Sequence, residues 1–239
     1  MIAFSKYDRL KTPQQIGRPI VSIYPSQKKY FEEAYRTGEH GWPVEGASLP
    51  VSRFVTRFKK ERSAGRVLDI GCGEGRHSAL FAREGYRTVG LDYQPLALER
   101  ARRISGNGSA RANLRFMLGD VFHLPFRPGT FDVVLDYGCL HHIRRRDTHA
   151  YLENVGPVLK PGGYFLLSCF STHFKHHPDE KRKRDWMVHN GHYDRFFRKG
   201  DFKSIFGRDF EVLNVEEERQ STYAFFHVLM RKKEKGTRS

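Results

Sequence analysis

The sequence is poor in cysteine and has no long apolar run. Its three cysteines are an odd number without metal-ligand spacing, which favours a reduced compartment over a secreted disulfide scaffold. No apolar run approaches the roughly 20 residues that cross a bilayer, and the N-terminus lacks a signal-peptide core. We therefore expect a cytoplasmic protein with no membrane partner, and we assign no metal.

Acidic residues are scarce relative to basic ones. The chain of 239 residues has 42 Lys and Arg against 27 Asp and Glu, a formal net charge of +15. Such a charge attracts nucleic acid or small anions. Two basic runs, at 144–146 and 181–184, could form a rim that draws in an anionic substrate or RNA. No RNA-binding module is recognisable and aromatic residues are not interleaved with the runs, so a solvated surface is the alternative.

Strand and helix signals alternate along most of the chain. Short apolar runs predict strands at 67–70, 88–92, 114–118, 131–136 and 164–169. Helices are predicted at 28–35, 49–62, 76–83, 95–104 and about 147–159. Apolar strands separated by helices predict an α/β fold whose doubly wound, mostly parallel sheet is covered on both faces. Two last runs, 210–215 and 223–230, would complete seven strands with an antiparallel C-terminal edge.

Composition divides the chain into three parts. Residues 1–48 have little periodicity and are predicted to form an N-terminal lid, and residues 49–231 to form the α/β domain. The charged tail, 232–239, is expected to be disordered. Residues 171–199 follow the fifth strand and exceed an ordinary loop in length, so we expect them to form a lid over the ligand site at that strand end.

A glycine-rich turn connects the first predicted strand to a helix. It reads Asp69-Ile70-Gly71-Cys72-Gly73-Glu74-Gly75. A turn of this kind is where an α/β sheet binds a nucleotide-like ligand, because glycine lets the backbone approach the ligand closely. The glycines alternate, whereas the dinucleotide fingerprint separates its last two glycines by two residues. By itself the segment can be interpreted only as a nucleotide-binding turn of unspecified type.

Acidic residues follow the next three strands. Asp92 can accept hydrogen bonds from both hydroxyls of a ribose. Asp120, beside apolar residues, suits an adenine, whose amine donates and whose ring needs a flat apolar slot. Asp136 ends the fourth strand. Any one of them could be a helix cap or a surface charge, but three at successive strand ends predict a nucleoside site.

As a set, these motifs resemble the class I S-adenosylmethionine-dependent methyltransferases over residues 65 to about 170. The glycine turn is similar to motif I, 90–92 to the ribose motif and 119–121 to the adenine motif. Residues 131–136 are similar to the fourth motif, and 159–163 to the turn before strand five. The resemblance implies a Rossmann-like fold, S-adenosylmethionine as cofactor and S-adenosylhomocysteine as product.

The resemblance also implies roles for single residues. Gly71 and Gly73 would lie under the methionine part of the cofactor, and Asp136 or its backbone would bind the ammonium group. Asp92 would bind ribose, and Asp120 with the Val121 amide would bind adenine. The cofactor-binding residues implied are Tyr35, Asp69, Gly71, Cys72, Gly73, Gly75, Asp92, Tyr93, Asp120, Val121 and Asp136.

Finer features are similar to one subgroup. Residues 35–42, Tyr-Arg-Thr-Gly-Glu-His-Gly-Trp, resemble the aromatic lid of small-molecule methyltransferases of the thiopurine and thiol type. Residues 136–142 and 165–171 are similar to bacterial members of that group. The resemblance implies a small-molecule acceptor with a thiol or another soft or acidic nucleophile, and it adds Trp42 and Cys139 to the acceptor site.

The chemistry of methyl transfer directs attention to histidines. Transfer from a sulfonium needs positioning and a dry pocket, and an alcohol or amine acceptor also needs a base, whereas a thiol is already partly ionised. His141 and His142 follow strand four and could supply that base, with His142 favoured and a packing role as the alternative. In the insertion, His189, His192 and Tyr193 are predicted to line the acceptor pocket, with a structural role as the alternative.

Three functions are therefore open. The first is methyl transfer to a small molecule. The second is RNA methylation that uses the basic rim, and the third is a regulator that binds S-adenosylmethionine without turnover.

Overall fold

The computed structural model describes residues 24–38, 46–104, 110–189 and 191–234. Trp42, most of the predicted N-terminal lid and the end of the basic tail lie outside these ranges. Within them, no helix combines the length and the apolar character that a bilayer crossing requires.

A mixed sheet forms the centre of the described chain. Its seven strands lie in the order β3-β2-β1-β4-β5-β9-β8. The first five in this order are parallel, and β9 is antiparallel to both of its neighbours. The predicted α/β fold with an antiparallel C-terminal edge is thus confirmed. The strands are β1 Arg66–Ile70, β2 Arg87–Asp92, β3 Leu114–Leu118, β4 Phe131–Tyr137, β5 Leu159–Phe170, β8 Phe210–Gln220 and β9 Tyr223–Lys232.

Helices cover both faces of this sheet. The helices are α1 Pro25–Thr37, α2 Leu49–Glu61, α3 Arg76–Arg83, α4 Pro95–Ile104, α5 Ala110–Asn113, α6 Thr148–Val158 and α7 Asp201–Phe206. The helices α3 and α4 have the bounds that the sequence predicted, 76–83 and 95–104. The helix predicted at 28–35 begins earlier, at Pro25, because proline suits a first helical turn.

Alternate residues of the central strands enter two different cores. Leu68 and Ile70 of β1 pack with the aromatic side chains on the α6 and α7 side. Val67, which precedes Leu68 in β1, packs with Phe54 and Phe58 of α2. Because successive strand residues point to opposite faces, a strand buried on both faces must be apolar throughout. This packing explains the continuous apolar runs of the sequence.

The structure differs from the sequence predictions at β5 and in the insertion. β5 begins at Leu159, five residues before the predicted start at 164. Phe131 of β4 pairs with Leu159, and the next pair is Val133 with Tyr164, so β5 has three more residues than β4 between these two pairs. This bulge takes up the Lys-Pro-Gly-Gly segment. The insertion contains an unpredicted antiparallel hairpin of β6 Trp186–His189 and β7 His192–Arg195.

Candidate active site

A cavity of about 740 Å³ lies at the carboxyl ends of β1, β2 and β4. Its volume is within the roughly 300–1,000 Å³ typical of small-molecule sites. Residues of α1 line one side of it, and residues from β5, β7 and β9 line the far end. The cavity therefore extends from the glycine turn to the segment that follows β5.

The glycine turn needs its glycines for two different reasons. Gly71, Gly73 and Gly75 have φ of 64°, 55° and 78°, a region that favours glycine. A Cβ on Gly73 would lie 3.0 Å from the Tyr35 hydroxyl, so α1 packs directly on the turn. A Cβ on Gly75 would lie 2.5 Å from the Phe116 ring. Gly75 therefore serves helix packing and is outside the cavity lining, unlike the other two glycines.

Asp92 joins the ends of β1 and β2. Its Oδ2 accepts from the Gly73 amide at 2.9 Å and its Oδ1 from the Gln94 amide at 2.8 Å. Each carboxylate oxygen has two lone pairs, so both keep capacity to accept a ligand hydroxyl. Gln94 Oε1, on the same wall, is buried without a hydrogen-bond partner among the described residues. Acceptors in excess of donors fit the two hydroxyls of a ribose.

Asp120 and Val121 lie at the next strand end. Asp120 Oδ1 accepts from the Phe122 amide at 3.0 Å and caps a short 3-10 turn, Val121–His123. Both residues line the cavity with Leu91. A carboxylate beside apolar side chains is the arrangement that an adenine requires.

Two further predicted acids are buried by the fold. Asp69 lines the cavity and accepts from the Ser78 hydroxyl at 2.5 Å, and burial raises the pKa of Asp69 to about 7. Asp136 accepts from the Cys139 amide at 2.8 Å and from the Tyr151 hydroxyl at 2.6 Å. Burial raises the pKa of Asp136 to about 6. Asp136 is absent from the lining of the described cavity, and its carboxylate closes the turn after β4.

His141 and His142 form an ordered chain of hydrogen bonds. The Phe170 amide donates to His141 Nδ1 at 3.2 Å, so the proton of the neutral ring lies on Nε2. That nitrogen is 3.1 Å from His142 Nε2, and His142 Nδ1 is 3.2 Å from the Tyr193 carbonyl oxygen. Burial lowers the pKa of His141 well below its usual value. Both ring nitrogens of His142 are therefore engaged by protein groups, unlike the free base that the sequence suggested.

Asp194 is fully buried among three histidines. Its carboxylate oxygens lie 2.9 Å from His142 Nδ1, 2.9 Å from His176 Nε2 and 3.1 Å from His192 Nε2. Burial acts to raise the pKa of Asp194, but the three histidines outweigh it and hold the pKa below its usual range. These are hydrogen-bond distances, and the described residues contain no group of three or more potential ligands arranged for a metal ion.

Aromatic side chains wall the far end of the cavity. Phe170 and Phe174 stack with their ring centres 4.0 Å apart, and Tyr223 stacks on Phe225 at 4.6 Å. From α1, Tyr30 stacks on the His192 ring at 3.9 Å. Flat, apolar walls of this kind suit a planar ligand.

The structure brings most predicted site residues to this cavity. His189 is exposed on β6, and the Tyr193 ring packs against Trp186 with centroids 6.1 Å apart, so neither side chain lines the cavity as predicted. Alternation along β7 turns His192 and Asp194 inward and Tyr193 away. The predicted residues that do line it are Tyr35, Asp69, Gly71, Cys72, Gly73, Asp92, Tyr93, Asp120, Val121, Cys139, His141, His142 and His192.

Sequence reasoning missed several residues at the far end of the cavity, which we call the acceptor end. They include the buried Asp194, the partly exposed His176, and Tyr30 and Phe31 of α1. The spacing His192-Tyr193-Asp194 is a signal that could have found Asp194, because a strand places its first and third residues on one face.

Comparisons with known proteins agree with this geometry. A family model described as a methyltransferase domain matches residues 67–163. An uncharacterized methyltransferase of Schizosaccharomyces pombe is 29% identical over 139 residues, which are 58% of this chain and 90% of that protein. The chain is an S-adenosylmethionine-dependent methyltransferase. The methyltransferase is also 28% identical over 163 residues to the ubiquinone biosynthesis O-methyltransferase of Vibrio parahaemolyticus, which covers 64% of this chain and 66% of that protein.

A solved structure shares the fold of the methyltransferase. It is the 1,6-didemethyltoxoflavin-N1-methyltransferase of Burkholderia thailandensis, with bound 1,6-didemethyltoxoflavin and S-adenosylhomocysteine. The TM-score is 0.71 at 22% identity, and the match covers 92% of this chain and 94% of that one.

The residues of the glycine-turn end fit S-adenosylmethionine. Asp92 and the unpartnered Gln94 Oε1 offer acceptors for the ribose hydroxyls, and Asp120 offers one for the adenine amine. Gly71 and Gly73 border the cavity without side chains that would fill it, and Gly71 also packs closely on Cys139, whose Cβ would lie 3.0 Å from a Cβ at Gly71. The cofactor supplies an electrophilic methyl group on a sulfonium sulfur.

Proposed function

We propose that this methyltransferase modifies a small, planar acceptor molecule. The observation that carries the proposal is the aromatic end of the cavity, which is continuous with the cofactor end and lies under α1. Stacked pairs of rings, Phe174 on Phe170 and Tyr223 on Phe225, form flat walls against which a planar ring can lie. The names of the Vibrio and Burkholderia proteins both refer to small molecules, which supports the same class of acceptor.

The chain contributes positioning and exclusion of water. Gln27 of α1 is buried, donates to the His142 carbonyl at 2.9 Å and accepts from the Tyr193 amide at 3.1 Å. At the other end of the cavity, Gln94 Nε2 donates to the Lys28 carbonyl at 2.6 Å. These bonds hold α1 across the cavity, and a closed, dry site favours in-line displacement.

The basic runs do not require an RNA substrate. Arg182 pairs with Glu180 at 2.5 Å and stacks on the Phe196 ring, so it is part of the fold of the insertion. Arg145 lies 3.7 Å from Asp185. Because acidic or aromatic partners face Arg182 and Arg145, these two side chains favour local structure over a phosphate-binding surface. RNA methylation thus remains the second candidate, with the net charge as its support.

The test is release of S-adenosylhomocysteine from S-adenosylmethionine in the presence of defined probes. The probes are catechol, 8-hydroxyquinoline, 4-nitrophenol, 6-mercaptopurine and unmodified tRNA. We expect turnover with at least one planar small molecule and none with tRNA. Asp92→Ala serves as the inactive reference, since it removes the acceptor of the Gly73 and Gln94 amides. Turnover with tRNA alone would contradict the proposal, as would silence with every small molecule while S-adenosylhomocysteine still binds.

A further inference from the structure

One buried ring nitrogen at the far end of the cavity lacks a hydrogen-bond partner among the described residues. It is Nδ1 of His192, a residue that lines the cavity and is 4% exposed. The neighbouring Asp194 is 0% exposed, and its Oδ1 lies 2.9 Å from His142 Nδ1, within ion-pair distance. Buried polar atoms in native proteins are nearly always paired, so an unpaired one on a residue that lines a cavity points to a ligand.

The hydrogen-bond network assigns the proton of His192. Its Nε2 lies 3.1 Å from Asp194 Oδ2. The histidines hold the pKa of Asp194 below its usual range, so the carboxylate is ionised and can only accept. In its neutral form the His192 ring therefore carries its proton on Nε2 and a lone pair on Nδ1. The unpaired Nδ1 is then an acceptor, and a ligand that pairs with it must donate hydrogen.

We propose that His192, oriented by Asp194, is the base that takes a proton from the methyl acceptor, which is therefore a hydroxyl or ring N–H group of a planar molecule. This inference rests on the proposed small-molecule function and names the class of nucleophile within it. The subgroup resemblance implies a thiol or another soft or acidic nucleophile, and this inference favours the acidic hydroxyl or N–H group over the thiol.

The surroundings of His192 keep its ring in one orientation. Tyr30 stacks on it at 3.9 Å with an interplanar angle of 22°. The rings of His142, His176 and His189 lie 5.9, 6.5 and 6.1 Å away, centre to centre. A base that is fixed on one side by a carboxylate and has a free lone pair on the other is the arrangement of a general base. His142 lacks that free lone pair, because His141 faces it at 3.1 Å.

The proposed step conserves atoms, electrons and charge. The acceptor proton moves to His192 Nδ1 as the acceptor heteroatom forms a bond to the methyl carbon. The bond between that carbon and sulfur breaks, and its electron pair stays on sulfur. The positive charge of the sulfonium thus ends on the His192 imidazolium, next to the ionised Asp194, and the proton leaves to solvent after product release.

The chemistry of the acceptor explains why such a base would be retained. A thiol has a pKa near 8.5 and is partly ionised at neutral pH, so a base adds little. A phenol with a pKa near 10, or a ring N–H, is almost wholly protonated and gains about 10²–10⁴-fold in rate from a placed base.

The test compares His192→Gln with the wild type across the same probes. Glutamine can still donate to Asp194, but it cannot take up a proton. We expect at least a hundredfold loss of kcat/KM for catechol or 8-hydroxyquinoline, whichever the wild type methylates. 4-Nitrophenol, which ionises near neutral pH, and 6-mercaptopurine should change less than threefold where they are substrates. S-adenosylhomocysteine affinity, measured by calorimetry, should be unchanged. His149→Gln, on the exposed face of α6, is the matched control with wild-type rates.

A second measurement reports on His192 without turnover. Nitrogen-15 NMR of the histidine side chains in the S-adenosylhomocysteine complex should show the Nε2–H tautomer for the signal that His192→Gln removes. The Nδ1–H tautomer would overturn the inference, as would equal rates of His192→Gln and wild type on a hydroxyl probe, or wild-type turnover with the thiol alone. These results would contradict the role of His192 but not the proposed small-molecule function. If the wild type methylates none of the small molecules, both proposals are contradicted.

Discussion

The two ends of the cavity are built in different ways. At the cofactor end, one turn supplies Gly71 and Gly73, and acids at successive strand ends complete the wall. At the acceptor end, the groups come from α1, the turn after β4, the end of β5 and the hairpin of β6 and β7. The first end is a local feature of the chain and the second is an assembly of distant segments. The first end could therefore be predicted from local sequence, whereas the second depends on tertiary contacts.

Two buried carboxylates show the same contrast in their electrostatics. Asp69, at the cofactor end, has its pKa raised to about 7, because burial outweighs the hydrogen bond from Ser78. Asp194, at the acceptor end, is buried as well, yet three histidine side chains keep its pKa low. Burial thus decides the charge of Asp69, whereas the neighbouring histidines decide that of Asp194.

Removal of the Asp194 charge should have the largest effect. Asp194→Asn removes the negative charge that lies 2.9–3.1 Å from three histidine nitrogens, and we expect about 3 kcal/mol less free energy of unfolding at pH 7, measured by urea denaturation. Because the folded pKa is depressed, the wild-type advantage is present above the unfolded value of about 4 and is lost as the pH falls below it. Asp209→Asn, half-exposed beside Arg208, is the control. Equal free energies of unfolding for Asp194→Asn and wild type would show that the charge of Asp194 does not stabilise the acceptor end, and would contradict the contrast with Asp69.

Asp69→Asn should act in the opposite direction. The folded pKa of about 7 is raised, so the stability that Asp69 contributes is complete below about pH 4 and is lost as the pH rises toward 7. The asparagine oxygen can still accept from Ser78 Oγ. We expect the variant to be about 2 kcal/mol more stable than wild type at pH 8 and little different at pH 4, by thermal denaturation. A destabilised variant at pH 8 would refute the raised pKa.

Gln27→Ala should loosen only the acceptor end, with the smallest effect. It removes the bonds to the His142 carbonyl and the Tyr193 amide, which we expect to cost about 1–2 kcal/mol. Hydrogen exchange should accelerate at the Tyr193 amide and remain unchanged at the Gly73 amide, which Asp92 holds. Glu32→Gln, exposed on the same helix, is the control. Equal acceleration at Gly73 would show that α1 couples the two ends.

The sequence predicted the fold more completely than it predicted the candidate site. Periodicity and glycine placement located β3 and the helices α3 and α4 at their observed bounds, because these elements depend on local pattern. The start of β5 was missed, since its first residues pair with β4 only through a bulge. Asp136 lies near the end of β4 as predicted. The orientation of its carboxylate depends on the hydrogen bond from Tyr151 of α6, a contact between distant residues that no local sequence pattern encodes.

By itself, the sequence determined the glycine turn, the acids at the strand ends and the α/β order, because each depends on backbone geometry or side-chain period over a few residues. Only the tertiary structure decided which histidine has a free lone pair. That choice depends on the Phe170 amide, which orders His141 and His142, and on the register of β7, which turns His192 and Asp194 into the cavity. Hydrogen bonds between residues far apart in the chain set protonation, and their partners are known only once the chain is folded.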